Sequence, residues 1–437
     1  MGLLDREVWL RLLASPAIAS QPDTHRRPSR GATVAAWAFV GMIVLAVLAA
    51  MLVVPVARAN QLVTITIPDR QGEIPSKWLS YPGEPRADVL LPNDYDPRRR
   101  YPLLVALNCL NCNYAWYAEN GLTAAFDRLG AIVVMPEGGS GWYTDWWNDG
   151  ERGSPAWESY FLNEVMPTIL ARYRILPQRR YHAIAGVSMG GMGATYLGGR
   201  LPGFFGSVAS LSGFDDPQYF APITDPAMGL TSGAPLKGDY YLNPVEGPPN
   251  GFYMQGHNPT RLVTNVDQTR VFVSTGNGLN SPADGTVPGG VGNAEEAGVI
   301  RPTSDAYDAA LKAAGIDITY QTHDGCHCWP DFQAELRSAI AWGPFQPVVE
   351  HPTSWVNDTV ATHGQLWDIG YRFATHPNAV VRFTRMGSRL QISAAGTPVM
   401  LTTSGGCVLR VATPADVSVP WKTCASSRRR HHQEQRR

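Results

Sequence analysis

"AIAGVSMGGMGATYL", residues 183–197, decides the fold of this chain. An apolar run ends at Val187 and a serine follows. Glycines stand two residues before that serine and two and three after it, at Gly186, Gly190 and Gly191. Beyond them the segment reads as a helix. A strand that turns sharply into a helix needs small neighbours so that the turn can close. Ser188 at such a turn stands above the sheet edge and at a helix N-terminus, where the next backbone N–H can hold an oxyanion. A serine hydroxyl is a poor nucleophile until a base takes its proton. The pattern therefore calls for a histidine in a loop after a later strand, with a carboxylate between the two in the chain.

"THDGCHCWPDF", residues 322–332, supplies the histidine. His327 is the expected base. His323 is its rival, but lies nearer the strand-like "DITYQ" (317–321). Asp284, Glu295 and Glu296 follow the strand-like "TRVFVSTG" (269–276), and spacing alone does not choose the acid among them.

The flanks alternate in character. "LVTITIP" (62–68) and "RADVLLP" (86–92) alternate as strands do. "YPLLVALN" (101–108) and "AIVVMPEG" (131–138) are continuous apolar runs, as in strands covered on both faces. "GSVASLSG" (206–213) is a further strand. "GLTAAFDRLG" (121–130), "SDAYDAALKAAG" (304–315) and "DFQAELRSAIAW" (331–342) read as helices, and so does 156–173, with a kink or break at Pro167. This predicts a mostly parallel sheet with helices on both faces over residues 60–345. The Gly/Pro/Asn-rich stretch 214–268 reads as an insertion rather than core. Residues 346–425 predict a small β-rich appendage with hairpins at 379–396 and 398–414, and 426–437 a basic, disordered tail.

The chain has 437 residues, 44% of them apolar, and a net charge of −1. That suffices for a large core and gives no global field for nucleic acid. Arg6, Arg11, Arg26, Arg27 and Arg30 precede an uncharged run, 31–57, long enough to span a bilayer, and "ARA" at 57–59 has the form of a cleavage site. Residues 1–59 are thus expected to be a signal peptide or a membrane anchor, and the rest exported. Export makes the cysteines readable as disulfides. Cys407 and Cys424 form a natural couple. Cys109, Cys112, Cys326 and Cys328 also admit a zinc reading, but C-x-C matches structural zinc sites poorly.

"LNCLNCNYAWYAENG" (107–121), "IVVMPEGGSGWYTDWWND" (132–149), "WESYFLNEVMPTI" (157–169), "GVSMGGMGATYL" (186–197), "VSTGNG" (273–278) and "HCW" (327–329) together resemble the esterase family that includes esterase D and the antigen 85 mycolyltransferases. The resemblance covers residues 62–342 and implies an α/β-hydrolase fold with a Ser-Glu-His triad. It places the glutamate in the loop after the "VFVSTG" strand, at Glu296, with Glu295 beside it. It gives the oxyanion hole to the amides of Met189 and Leu110. Asn108 and Asn111 match positions where the mycolyltransferases carry an Asp and an Arg that hold trehalose. Neutral amides make weaker contacts there than charged groups. Trp142, Trp146, Trp147 and Trp329 are expected in a sugar- and acyl-binding cleft or in the core.

The expected activity is acyl transfer from a lipid ester to a sugar hydroxyl or to water, without metal or organic cofactor. A plain carboxylesterase and a non-catalytic envelope-binding protein are the rivals. In this fold the loops bearing Cys109/Cys112 and Cys326/Cys328 border one nucleophile, so at least one disulfide across the two loops is expected. Local pairing is the alternative.

Overall fold

The computed structural model describes residues 61–421 apart from 77, 78, 80, 148–154, 220–249 and 282–289. The expected signal or anchor segment, the basic tail, Cys424 and Asp284 lie outside the described residues. Among the described residues no helix is long and apolar enough to cross a membrane.

Eight strands form one sheet in the order β1-β2-β4-β3-β5-β6-β7-β8. They are β1 (Gln61–Thr66), β2 (Arg86–Leu91), β3 (Leu103–Leu107), β4 (Ile132–Pro136), β5 (His182–Val187), β6 (Ser207–Leu211), β7 (Arg270–Thr275) and β8 (Thr319–Thr322). β2 pairs antiparallel with both β1 and β4, and every pairing from β4 to β8 is parallel. The sheet's two faces explain the apolar runs. Leu103, Val105 and Leu107 enter one core cluster, while Leu104 and Ala106 enter the other. β4 divides the same way, with Ile132 and Val134 opposite Val133 and Met135. Successive side chains alternate across a strand, so burial on both faces demands an unbroken apolar run. Helix α1 (Met189–Arg200) covers one face and helix α3 (Trp329–Trp342) the other. Helix α2 (Arg301–Ala313) packs beside β7.

Two expectations are corrected here. The stretch 214–268 is not all insertion: Phe214, Met254 and Leu262 belong to the main core. Its Gly, Pro and Asn content hid apolar anchors too sparse to form a periodic pattern. Of the kink or break expected at Pro167, the break does not occur. Trp157–Tyr160 runs through a π turn, Phe161–Val165, into Met166–Arg172. The wider turn accommodates the amide that proline lacks.

The appendage consists of two four-stranded antiparallel sheets, β10-β11-β14-β15 and β16-β13-β12-β9. Its strands are β9 (Ser354–Thr359), β10 (His363–Leu366), β11 (Ile369–Phe373), β12 (Val381–Met386), β13 (Arg389–Ile392), β14 (Val399–Thr403), β15 (Val408–Val411) and β16 (Ala415–Ser418). Both expected hairpins form, as β12–β13 and β14–β15. Inward residues such as Tyr371, Phe383 and Leu401 make a core of their own.

Buried polar contacts fasten the appendage to the sheet domain. Asn265 donates to the Asp358 carbonyl at 2.9 Å and accepts from the Asp358 N–H at 2.7 Å. Asn357 donates to the Gly199 carbonyl at 3.0 Å. Arg200, paired with Glu158 at 2.6 Å inside the protein, also donates to the His363 carbonyl.

Candidate active site

Ser188 follows β5 and caps α1 with φ +57° and ψ −119°. A non-glycine residue held there carries on the order of 1–3 kcal/mol of backbone strain. Hydrogen bonds on both sides impose it: the Ser188 N–H donates to the Leu211 carbonyl at 2.9 Å, and its own carbonyl accepts from the Gly191 N–H at 2.8 Å. The flanking glycines are needed for close approach. A Cβ on Gly186 would lie 2.0 Å from the Gly190 carbonyl oxygen, and one on Gly190 would lie 2.4 Å from that of Leu107.

His327 reaches this serine from the loop after β8. The Ser188 hydroxyl lies 2.8 Å from Nε2, and Nδ1 lies 2.9 Å from Glu296 Oε2. A carboxylate only accepts, so Nδ1 carries the proton and Nε2 is left to receive one from Ser188. The His327 N–H donates to the Gly292 carbonyl at 2.9 Å, which fixes the loop against the acid's own helix.

Glu296 is fully buried. Its other oxygen accepts from Thr275 Oγ1 and the Gly276 N–H, each at 2.7 Å, and lies 3.0 Å from Ser212 Oγ. Burial pushes this carboxyl up, but the hydrogen bonds from His327, Thr275 and Ser212 outweigh it and hold the group below the usual value. For His327, burial pushes the imidazole down. The charge of Glu295, then the hydrogen bond and charge of Glu296 and the charge of Glu335, outweigh that, and its pKa is raised.

Glu296 is not in a loop, as the resemblance implied. A short helix, Val291–Glu295, continues through a π turn, Glu296–Ile300, into α2. Pro302 conceals this continuity in the sequence. The rival residues also find their places. Glu295 Oε1 lies 4.0 Å from Nε2, on the serine side of the imidazole. His323 is turned away from Ser188 and pairs with Glu335 at 2.9 Å.

Met189 is the first residue of α1, so its N–H has no partner within the helix. Leu110 lies in a turn closed by the Cys112 N–H donating to the Cys109 carbonyl at 3.2 Å. The cysteines of that turn bond to each other, Cys109 to Cys112, and those flanking the base do the same, Cys326 to Cys328. The expected cross-loop bond is therefore absent among these four. Each loop already brings its own pair to a Cα separation of 5.2 Å, within the range a disulfide spans. Cys407 is also disulfide-bonded.

Asn108, expected at a sugar, is instead buried. Its N–H donates to Tyr143 Oη at 2.9 Å, that hydroxyl donates to Oδ1 at 2.7 Å, and Nδ2 donates to the Cys109 carbonyl at 3.0 Å. These contacts brace the turn. Asn111 is exposed, with φ +59°, and accepts from the Ser140 hydroxyl. Trp142 and Trp146 are core residues. Trp147 is 40% exposed and packs on Phe252 and Tyr253, while Trp329 is half-buried against Trp116.

The family model described as "Putative esterase" matches residues 80–342, more than half of the chain. The chain belongs to this esterase family. It is 30% identical over 159 residues to Esterase Rv1288 of Mycobacterium tuberculosis, covering 34% of this chain and 35% of that protein. It is 27% identical over 250 residues to the diacylglycerol acyltransferase/mycolyltransferase Ag85C of Mycobacterium avium, covering 54% of this chain and 67% of that one. The chain thus spans about a third of the length of the first relative and two thirds of the second. Among solved structures, Mycobacterium tuberculosis MPT51 (FbpC1) superposes with a TM-score of 0.51 at 20% identity, over 66% of this chain and all of that one. That likeness supports the α/β-hydrolase fold of this esterase.

Three polar neighbours of the acid escape a sequence reading: Ser212, Thr275 and Glu335. Glu335 alone leaves a signal. It falls between the buried Phe332 and Leu336 on the apolar stripe of α3, where a surface charge does not belong.

Proposed function

We propose that this esterase is an exported serine hydrolase or acyltransferase that works through an acyl-enzyme. Ser188 attacks an ester carbonyl while His327 Nε2 takes its proton. Glu296 keeps Nδ1 protonated and stabilises the imidazolium that forms. The Leu110 and Met189 amides hold the oxyanion. The imidazolium then protonates the departing alkoxide, leaving the acyl group on Ser188 Oγ. In the second half, His327 takes a proton from water or a sugar hydroxyl, whose oxygen attacks the acyl carbon and releases the serine. The chemistry calls for no metal or organic cofactor.

The observation that carries this reading is the continuous line Ser188–His327–Glu296, with separations of 2.8 and 2.9 Å. It weighs against a purely binding role. Similarity to a mycolyltransferase supports a lipid acyl donor. The arginine-flanked apolar run 31–57 and the local disulfides support export, with membrane attachment if that run stays uncleaved. One observation favours plain ester hydrolysis as a second reading. The side chain of Asn108 is engaged inside the turn, which leaves it less free to hold a sugar and favours water as the acceptor.

The test is to trap the acyl-enzyme with defined lipid esters and identify which acceptor releases it. Ser188→Ala should form no adduct and lose turnover of p-nitrophenyl esters. Near-normal kcat in the folded variant would remove Ser188 from the mechanism.

A further inference from the structure

Behind the acid lies a second carboxylate–histidine pair that the triad does not use. Ser212 follows β6 with φ +43°, its N–H donating to the Ser274 carbonyl at 2.7 Å. This strained backbone leaves its hydroxyl 3.0 Å from Glu296 Oε1 and 3.0 Å from Glu335 Oε1. A hydroxyl has one proton, and both of these neighbours are carboxyl oxygens. If Ser212 donates to Glu296, Glu335 must carry a proton of its own or face a lone pair at hydrogen-bond distance. The far side of Glu335 supplies a source. His323 Nε2 lies 2.9 Å from the same Oε1, and its Nδ1 lies 2.9 Å from the Asp324 carbonyl. A carbonyl only accepts, so Nδ1 is protonated, and a further proton is shared between Nε2 and Glu335. Glu335 is 1% exposed and its Oε2 has no hydrogen-bond partner among the described residues, whereas the His323 side chain is 30% exposed and can exchange protons with water.

We propose that Glu335 and His323 are positioning residues for the ester reaction: through the single proton of Ser212 they set the charge facing Glu296, and through Glu296 the basicity of His327. The inference rests on the Ser188–His327–Glu296 reading above. With Glu335 neutral, Ser212 is free to donate to Glu296, and one negative charge stands behind the imidazole. With Glu335 ionised, the two carboxylates compete for the hydroxyl proton, and a second negative charge favours the imidazolium. Glu295 and Glu296 face His327. Glu335 and the Asp331 charge face His323. The Asp324 carboxylate is held by Asn277. Burial keeps Glu335 well above the usual carboxylate range, and the Glu335 hydrogen bond and charge keep His323 well above the usual imidazole value despite burial. His323 holds its proton more tightly than Glu335 does, so the pair's proton rests on His323 across neutral pH and leaves Glu335 able to ionise.

The test is the pH profile of kcat for a short p-nitrophenyl ester, paired with an NMR titration of the His327 imidazole. Glu335→Gln fixes that side chain in its neutral form. Its acid limb and the His327 titration should both move down by about half a unit or more, with KM unchanged. His323→Gln removes the cation that lets Glu335 ionise, so the same downward shift is expected. Its partly exposed side chain keeps the test available if Glu335→Gln fails to fold. Ser212→Ala should cost about tenfold in kcat, the worth of one hydrogen bond to a charged group. Adding Glu335→Gln to it should bring only the smaller shift that the direct charge of Glu335 on His327 supplies. An acid limb that stays in place in the folded Glu335→Gln and His323→Gln proteins would overturn the proposal, as would a full shift that survives without Ser212. Ser188→Ala in the same assay separates the two levels: activity retained there sinks the triad reading itself.

Discussion

Replacing Glu296 by glutamine tests the site most sharply, because the structure dictates which way the amide must turn. Oε1 of Glu296 faces the Gly276 N–H at 2.7 Å, a backbone donor that cannot rotate away. An NH2 placed there would set donor against donor inside a fully buried site. The substituted amide would therefore keep its carbonyl oxygen toward Gly276 and Thr275 and turn its NH2 toward His327 Nδ1. That nitrogen must then accept, which puts the ring's proton on Nε2, pointing at Ser188. A protonated Nε2 cannot take the serine proton. A wrong-tautomer triad of this kind loses about 10⁴ in kcat, which is about 5 kcal/mol of transition-state stabilisation. The assay is kcat for p-nitrophenyl ester hydrolysis, with circular dichroism to confirm the fold and KM to confirm binding. A folded Glu296→Gln protein within tenfold of the wild-type kcat would refute the reasoning, since no rotamer of the amide satisfies both Gly276 and the productive tautomer.

His327 must be neutral to act, and its pKa is raised, so kcat/KM should fall as pH drops through a value above the ordinary 6.5; Glu295→Gln removes the largest opposing charge and should move that limb to lower pH, read from a full pH profile. Gly190→Ala would place a Cβ 2.4 Å from the Leu107 carbonyl oxygen and 2.7 Å from that of Asn108. Backbone must shift, so a loss of about 3 kcal/mol in urea unfolding is expected, with activity falling as the neighbouring oxyanion turn moves. Arg200→Met strands the buried Glu158 carboxylate and should cost about 3–5 kcal/mol by the same measurement, with Arg200→Met/Glu158→Gln recovering part of it. Reducing the two local disulfides should cost about 2 kcal/mol each, whereas a bond joining the two loops would be worth about 5; non-reducing peptide mapping together with the urea midpoint checks both.

Where a residue's place in the fold follows from its neighbours in the chain, the sequence discloses it. All eight strands of the large sheet were legible, because burial on two faces leaves continuous apolar runs and burial on one leaves alternation. Ser188 was legible because its turn demands glycines at fixed offsets. His327 followed from chain order after the last strand. Placements that depend on contacts across the fold were not legible. The Asn108 amide could be matched to a sugar-contacting position, but the Tyr143 hydroxyl that braces it inside the turn lies 35 residues away. The cysteine pairing went the same way. Two loops that border one nucleophile can exchange disulfides only if their cysteines face each other, and each loop here closes upon itself first.

The acid shows why such concealment gathers around the site. Pro302 reads as a helix boundary, and so Glu296 reads as a loop residue. The chain instead widens into a π turn from Glu296 to Ile300 and carries the helix across the proline. An inserted π turn rotates the residues before it about the helix axis relative to those after it. Glu296 can therefore face β7 and His327 while Tyr307 and Leu311 on α2 keep to the apolar cluster beside the same strand. A regular helix through this segment would turn either the carboxylate or those apolar residues out of register. The local rule broken at Pro302 is thus what lets one helix serve both the core and the chemistry.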